Sequence, residues 1–313
     1  MSNDMNEHVN VIIPSFNASK YIAEAIESVL RQSYKKYDIT VVDDGSTDNT
    51  AEILKLYGNK VRYIFQTNRG PSSARNRGIT SGQGSHVAFL DADDVWMENK
   101  LERQMELFRK KPQLGMVWSS VYWIDEKGNI SRQSAAKKYE RKDDLIQDLL
   151  VRNVVSGSSS GVVIRRECFS SVGLFDETLR GSEDRDMWLR ITKRYETELL
   201  NEPLVKLRYH SGSATRNIEL MKRNIWKFIF KNLKYEDNVM RLKALSYMYL
   251  NAARDYCAAK NRQLTFSNAL FALLNYPVKI YPDDDKYQLL VKSLLPGFIV
   301  DWGRKMKREG LLK

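Results

Sequence analysis

Residues 87–94 read VAFLDADD, which is a run of four apolar side chains followed by three carboxylates within four positions. A short run without polar residues is typical of a strand buried on both faces of a parallel sheet. The acidic residues then lie at the carboxyl end of that strand, where open α/β sheets bind their ligands. The stretch therefore predicts an α/β fold with its chemistry at one edge of the sheet.

Apolar runs alternate with helical patterns on both sides of this stretch as far as residue 110. We predict strands at 9–13, 39–42 and 61–65, and helices at 19–34, 71–79 and 98–109. Asn49 with Glu52 three residues later indicates the start of one more helix. Strands that alternate with helices favour parallel βαβ units, so we expect a mostly parallel sheet flanked by helices.

The chain changes character twice after residue 110. Residues 111–216 are less regular, with strands expected at 116–124 and 162–164, helices at 144–151 and 182–195, and an extended segment at 198–209. Residues 217–313 read as basic helices and carry 18 Lys and Arg against 9 Asp and Glu. We therefore place a domain boundary near Asn217, with a helical extension beyond it.

Composition excludes several classes of protein. Apolar residues make up 42% of the chain and charged residues 28%, which excludes a disordered or fibrous chain. Cys168 and Cys257 match no zinc or disulfide spacing. The first ten residues lack the apolar core of a secretory signal, and the longest uncharged run, 263–278, is too short and polar to span a membrane. We expect a cytoplasmic protein.

The distribution of the positive charge along the chain argues against a nucleic-acid-binding protein. The net charge is +11, and +9 of it falls in residues 217–313. The first 216 residues are nearly balanced and contain no nucleic-acid recognition motif. We therefore expect no nucleic-acid partner.

Polar residues follow three of the predicted strands, at 14–17, 43–46 and 91–94. If the strands are parallel, these clusters bring up to five carboxylates to one edge of the sheet. Carboxylates so close together repel each other unless a cation compensates them, and Arg75 lies just upstream of the last cluster. An Asp-x-Asp sequence at a strand end also suits Mg²⁺ or Mn²⁺, which prefer oxygen ligands.

Together these motifs resemble family 2 glycosyltransferases. The resemblance rests on VIIPSFN at 11–17, VVDDGSTD at 41–48, NRG at 68–70 with ARN at 74–76, and FLDADD at 89–94. It continues through GSED at 181–184 and ends near LRYH at 207–210. The family implies a GT-A fold over residues 1–216, with a nucleotide-binding half at about 8–110 and an acceptor half at about 111–216. It does not extend to 217–313.

The resemblance also implies roles for individual residues in donor binding. The donor would be a nucleotide-diphosphate sugar. Pro14, Phe16 and Asp43 would line the nucleobase pocket, Arg75 would approach the base or the diphosphate, Asp91 would hold the ribose, and Asp93 would bind Mn²⁺ or Mg²⁺. His210 is a second candidate metal ligand, although a histidine at a strand end is as often structural.

Asp184 is the candidate general base for an acceptor hydroxyl, and direct displacement by that hydroxyl inverts the anomeric centre. Glu183 and Asp186 remain rivals, because sequence cannot show which carboxylate enters the cleft. Asp94 is expected to support the site or cap a helix, and Trp188 to pack against the sheet or line the acceptor site.

We therefore expect an inverting, metal-dependent glycosyltransferase of surface polysaccharide or glycolipid assembly, with a glycan or lipid-linked acceptor. A non-catalytic nucleotide-sugar-binding protein of the same fold is the alternative. A nucleotidylyltransferase is disfavoured, because residues 14–18 are not the glycine-rich phosphate loop it would need after its first strand. Basic aromatic segments around Trp226 and Trp302 suggest peripheral association with an anionic membrane.

Overall fold

The computed structural model describes residues 7–134, 137–156, 159–210 and 217–295. The chain forms two compact units, one of residues 1–149 and 153–216 and one of residues 150–152 and 217–313. The basic segment around Trp302, on which part of the membrane prediction rests, lies outside the described residues.

The first unit alternates strands and helices up to residue 110 and is less regular after it. Its strands are β1 (Val9–Ser15), β2 (Tyr37–Asp43), β3 (Arg62–Phe65), β4 (His86–Phe89), β5 (Val95–Trp96), β6 (Leu114–Ile124), β7 (Ile130–Ser134), β8 (Val162–Arg165) and β9 (Glu196–Arg208). Its helices are α1 (Ile22–Leu30), α2 (Thr50–Lys55), α3 (Pro71–Ser81), α4 (Lys100–Lys110), α5 (Lys142–Val151), α6 (Glu167–Val172) and α7 (Glu183–Arg194).

The strands form one nine-stranded sheet in the order β3-β2-β1-β4-β8-β6-β9-β5, with β7 paired to β6. The segment β3-β2-β1-β4 is parallel throughout, as the βαβ pattern predicts. The pairs β4–β8, β8–β6, β6–β7 and β9–β5 are antiparallel, so the parallel character is confined to the first four strands and the β6–β9 pair. The first half therefore offers a parallel sheet edge for ligands.

The register of this sheet brings the polar clusters together. Ser15 at the end of β1 lies opposite Asp43 at the end of β2, and the Leu90 amide that follows β4 donates to the Ile12 carbonyl oxygen of β1. Because β1 has a neighbour on each side and helices on its faces, almost every one of its residues is buried. The three clusters thus emerge at one edge of the sheet.

Helix α3 approaches the sheet unusually closely at Gly78. A Cβ atom at Gly78 would lie 2.4 Å from Cγ2 of Ile12 in β1, closer than real side-chain contacts allow. Ala74 and Ile79 are buried on the same helix, so its inner face rests directly on the strand. This packing fixes the position of Arg75 relative to the end of the sheet.

The helix predicted to start at Asn49 is confirmed as α2, with Asn49 at the N-cap position, although the side chain that bonds the first turn is that of Asp48, whose Oδ1 accepts the Thr50 amide at 3.0 Å. Other local predictions differ from the structure. The helix expected from residue 19 begins at Ile22, after a turn in which the Tyr21 amide donates to Ala18. The short strand β5 was not predicted, because two residues carry no detectable periodicity.

The second unit is helical, with α8 (Ile218–Asn232), α9 (Asn238–Ala258), α10 (Arg262–Asn275) and α11 (Lys286–Leu294). Its core contains Leu250, Ala253, Ala269, Ala272 and Leu289. Lys286 is fully buried and pairs at 2.9 Å with the equally buried Asp284. Over the described residues, no helix of the protein combines the length and apolar character needed to cross a bilayer.

Candidate active site

The loops after β1 and β2 interlock at the edge of the sheet. Asp43 is fully buried, and its carboxylate accepts the Ser46 amide at 2.8 Å and the Tyr63 hydroxyl at 3.0 Å. Asn17 has a left-handed backbone (φ 49°), and its Oδ1 accepts the Thr47 amide at 2.8 Å. These bonds hold the candidate nucleobase residues Pro14, Phe16 and Asp43 on two loops that are tied to each other. Phe16 is half exposed, so its ring is available to a ligand.

Asp44 organises the segment that leads into α3, a role that the sequence did not reveal. Its Oδ1 accepts the side-chain amide of Gln66 and the Arg69 amide, and its Oδ2 accepts the Gly70 amide at 2.7 Å. Gly70 has φ +93°, a conformation that favours glycine, and it immediately precedes the helix. Asp44 thus sets the start of α3, which carries Arg75.

Arg75 connects two acidic elements of the site. Its guanidinium is 6% exposed and donates to Asp91 Oδ1 at 2.8 Å and to Glu183 Oε1 at 3.1 Å. The two carboxylates raise the pKa of Arg75 against the effect of burial. Arg75 is therefore not a solvent-exposed cation on the surface of its helix. Instead, it links the end of β4 to the start of α7.

The turn after β4 divides its carboxylates between different partners. Asp93 Oδ2 lies 2.9 Å from His210 Nε2, so the structure brings the two candidate metal ligands together. Asp94 is buried, and its carboxylate accepts the Ser160 hydroxyl at 2.5 Å and the Arg208 amide at 2.9 Å. Burial, then the charges of its neighbours, raises the pKa of Asp94 well above its usual value. Asp94 therefore supports the turn from inside.

The donor atoms fit a divalent cation only in part. Within the described ranges, no cluster of three or more His, Cys, Asp or Glu side chains is arranged to hold a metal. Asp93 and His210 offer one oxygen and one nitrogen ligand at the same point, and imidazole and carboxylate together suit Mn²⁺. Mg²⁺-like ions commonly bind through one or two protein ligands plus substrate phosphates. The residues present would thus fit a divalent metal only if other ligands, such as substrate phosphates, completed its coordination.

The three acids at the start of α7 have different surroundings. Glu183 is buried and bonded to Arg75 and the Gly181 amide, and the fully buried Asp186 pairs with Arg190 at 2.8 Å. Asp184 is only partly buried, and its Oδ2 accepts the Asn153 side-chain amide at 2.9 Å. Burial, then the charge of Glu183, raises the pKa of Asp184 to about 6. Of the three acids, Asp184 has the surroundings of a base.

Trp188 is fully buried on the same helix and lies edge-on to Phe175, with 6.1 Å between the ring centroids. It therefore packs inside the unit, and the acceptor-lining option is not met in this structure. Sequence reasoning also missed Asn153, Ser160 and Arg208. Ser160 and Asn153 lie in or beside a small polar loop without a diagnostic motif, and Arg208 precedes His210 in a stretch read only as extended.

Comparison with known proteins places this geometry in a family. The sequence model of "Glycosyl transferase family 2" matches residues 10–173. A glycosyltransferase of Rickettsia prowazekii is 32% identical over 250 residues, covering 78% of this chain and 77% of the relative. A glycosyltransferase of Rickettsia conorii is equally similar, although the chain spans 41% of its length. TuaG of Bacillus subtilis, named for teichuronic acid biosynthesis, is 30% identical over 231 residues, covering 72% of this chain and 88% of TuaG.

Solved structures show the same fold at low sequence identity. Staphylococcus aureus TarS in complex with UDP-GlcNAc is 18% identical with a TM-score of 0.61, covering 91% of this chain and 89% of that one. The mannosyltransferase PcManGT of Pyrobaculum calidifontis, in complex with GDP-Man and Mn²⁺, is 16% identical with a TM-score of 0.60, covering 93% and 86%. The predicted GT-A fold is thereby confirmed. Since the family model matches more than half of its 313 residues, the chain belongs to glycosyl transferase family 2.

Proposed function

We propose that the protein transfers a sugar from a nucleotide-diphosphate donor to a hydroxyl acceptor with inversion of the anomeric centre. The observation that carries the proposal is the contrast among the acids of α7. Glu183 and Asp186 are each engaged by an arginine, whereas Asp184 is partly exposed and has a pKa of about 6. A base near neutral pH is suited to remove the proton of an attacking hydroxyl.

The donor would bind at the edge of the parallel sheet. Asp43, held by Ser46 and Tyr63, would accept a hydrogen bond from a base N–H, and the half-exposed Phe16 would contact the base beside Pro14. Asp91 would bond the ribose while Arg75, paired with it at 2.8 Å, orients its carboxylate. Arg75 would thereby support donor binding through Asp91, and the candidate general base Asp184 through Glu183.

A divalent cation would sit at Asp93 and His210, and when bound it would neutralise the charge that develops on the leaving nucleoside diphosphate. Asp93 and His210 would be its protein ligands. The Asp94 carboxylate, which accepts hydrogen bonds from the Ser160 hydroxyl and the Arg208 amide, would hold the turn that carries Asp93 in position. The PcManGT complex contains Mn²⁺ beside its nucleotide sugar, which supports a metal of this type here.

The acceptor would be a glycan or lipid-linked saccharide of the cell surface. TuaG is named for teichuronic acid biosynthesis, which supports a role in polysaccharide assembly, and the TarS complex with UDP-GlcNAc supports a nucleotide-sugar donor. The hydroxyl would approach Asp184 Oδ2, displacing or sharing the Asn153 amide. As the bond between the anomeric carbon and the diphosphate breaks, the acceptor oxygen bonds that carbon from the opposite side and its proton moves to Asp184.

An anionic membrane surface is the proposed partner of α8. Its exposed face carries Arg223, Lys227 and Lys231 together with Phe230, which is 73% exposed. The Trp226 and Phe230 rings lie 6.0 Å apart on this face. Cations beside exposed aromatic rings fit anionic headgroups and the adjoining acyl region.

Vesicle flotation tests the membrane proposal. The wild-type protein is expected to float with phosphatidylglycerol–phosphatidylcholine vesicles at low salt and to remain below with phosphatidylcholine alone. Arg223→Glu with Phe230→Ala should lower the affinity for the anionic vesicles about 30-fold or more. Each charge near the surface contributes about 1 kcal/mol, and Arg223→Glu changes the charge by two. The single variant Lys60→Glu at an exposed position of the first unit changes the net charge by the same −2 and is the matched charge control. Equal flotation of both variants, or association of copies without lipid, contradicts the proposal.

Calorimetric titration of UDP, GDP and dTDP, each with Mn²⁺ and then with EDTA, tests the catalytic proposal. We expect micromolar binding of one nucleotide that EDTA abolishes. Asp93→Asn should remove the metal dependence of this binding, whereas Asp184→Asn should leave it nearly intact. Nucleotide binding without turnover of any saccharide acceptor would favour the alternative, a non-catalytic nucleotide-sugar-binding protein.

A further inference from the structure

The last residue of β9, Arg208, is bonded to two adjacent residues of the acidic turn after β4. Its Nε donates to the Asp93 carbonyl oxygen at 2.9 Å, and its backbone amide donates to Asp94 Oδ1 at 2.9 Å. His210 lies two residues further along the same segment, with its Nε2 at 2.9 Å from Asp93 Oδ2. The strand end that carries the imidazole is therefore the one that Arg208 ties to the turn.

The remaining donors of Arg208 reach two other segments. Nη2 donates to Glu24 Oε2 of α1 at 2.6 Å, and Nη1 donates to the carbonyl oxygens of Asp125 and Glu126 at 3.2 Å each. The Tyr21 ring lies under the guanidinium, 4.6 Å from its central carbon, and is also 5.3 Å from the His210 ring. One side chain thus joins α1, the β6–β7 turn and the acidic turn.

We infer that Arg208 is a positioning residue, which sets the Asp93 carboxylate against the His210 imidazole so that both face one metal ion. The inference rests on the proposed metal-assisted donor binding. Arg208 itself would touch neither metal nor donor; it acts through the backbone of Asp93 and the side chain of Asp94. Arg208 thus contacts both residues at once, Asp93 through its side-chain Nε and Asp94 through its backbone amide.

Lysine cannot replace this geometry. The Arg208 side chain is 2% exposed, and its nitrogens donate in three directions to fixed acceptors. A guanidinium presents such a planar fork, whereas an ammonium offers all its donors from one atom. In Arg208→Lys the charge remains, but the Asp93 carbonyl and the 125–126 carbonyls cannot both be reached together with Glu24.

The affinity of the protein for Mn²⁺ tests the inference directly. The affinity of the protein for Mn²⁺ is determined from free-ion electron paramagnetic resonance at 10 °C, with UDP, GDP or dTDP present. Arg208→Lys is expected to weaken Mn²⁺ about 10- to 100-fold, the usual cost of losing a group that orients a metal ligand. Glu24→Gln, at a half-exposed position, should weaken it less and in the same direction.

Arg103→Lys is the matched control, because Arg103 makes a similar forked pair with Glu202 away from the acidic turn. It should leave Mn²⁺ affinity unchanged. A role in stability alone would lower the melting temperature of Arg208→Lys and leave Mn²⁺ affinity at 10 °C intact, which overturns the inference. If Arg208→Lys does not fold, unchanged affinity in Glu24→Gln overturns it. Absence of Mn²⁺–nucleotide binding by the wild type refutes the donor site and the inference with it.

Discussion

Asp184 is held in an environment that favours the neutral form of its carboxyl group. Burial and the nearby Glu183 raise its pKa from 3.8 to about 6, and the Asn153 amide bonds one of its oxygens. The folded protein thus disfavours the ionised form of Asp184, although the proposed catalytic role requires that form. Stability and activity should therefore respond in opposite directions to its removal.

Asp184→Asn is predicted to reduce turnover about 10²-fold or more and to stabilise the protein at pH 7.5. Because the folded pKa exceeds the unfolded one, folding binds a proton between about pH 4 and 6, and the wild-type protein loses stability as the pH rises through that range. Discounting for partial exposure, the gain should be about 1 kcal/mol. Denaturant unfolding at pH 7.5 and at pH 4 measures it, and equal gains at both pH values would contradict the electrostatic cause.

The pH profile of the wild-type enzyme is a separate prediction. The proposed role of Asp184 as the general base requires its ionised form, so the activity should fall below pH 6 with a midpoint near that value. Nucleotide binding followed over the same range by calorimetry separates donor effects from the base. An activity that remains constant down to pH 4.5 would remove Asp184 from the role.

At the scale of elements, the contact of α3 with β1 depends on the absence of a side chain at Gly78. Gly78→Ala is expected to destabilise the protein by about 1–3 kcal/mol, since the new methyl group meets the buried Ile12 at 2.4 Å. Thermal unfolding of Gly78→Ala against wild type gives the value.

The double variant Gly78→Ala/Ile12→Ala provides the control. Without the Ile12 side chain the clash disappears, and alanine should then stabilise α3 by about 0.5–1 kcal/mol relative to glycine. A loss of the same size in both backgrounds would show that the cost of the substitution does not come from this contact.

At the scale of the whole molecule, two units with separate cores predict two unfolding transitions. A nucleotide with Mn²⁺ at a hundred times its dissociation constant should stabilise the first unit by about 2.7 kcal/mol and leave the second where it is. Calorimetric scans with and without EDTA distinguish the two. A shift of both transitions together would show that the units unfold as one.

The sequence predicts the first half of the molecule well because β1, β2 and β4 are largely buried and each is followed by a polar cluster. Val9, Ile39 and Val87 begin runs whose pattern is local, and the structure confirms them as parallel strands. The strand β8 was also predicted, but its antiparallel pairing with β4 and β6 depends on partners distant in sequence, as does the two-residue β5, and no local pattern encodes such partners. For the same reason Arg75 was placed near the site, whereas its bridge to Glu183, 108 residues later, was not.

Both ends of the eight-strand path through the sheet, from β3 to β5, are short. The path finishes with β3, four residues long, and with β5, two residues long. An open sheet edge exposes unpaired backbone groups that can recruit strands from other chains, and short edges limit that recruitment. The nine-stranded sheet is thus protected from edge-to-edge aggregation at high protein concentration. We therefore expect self-association to begin at the exposed surfaces of the helices and not at the sheet.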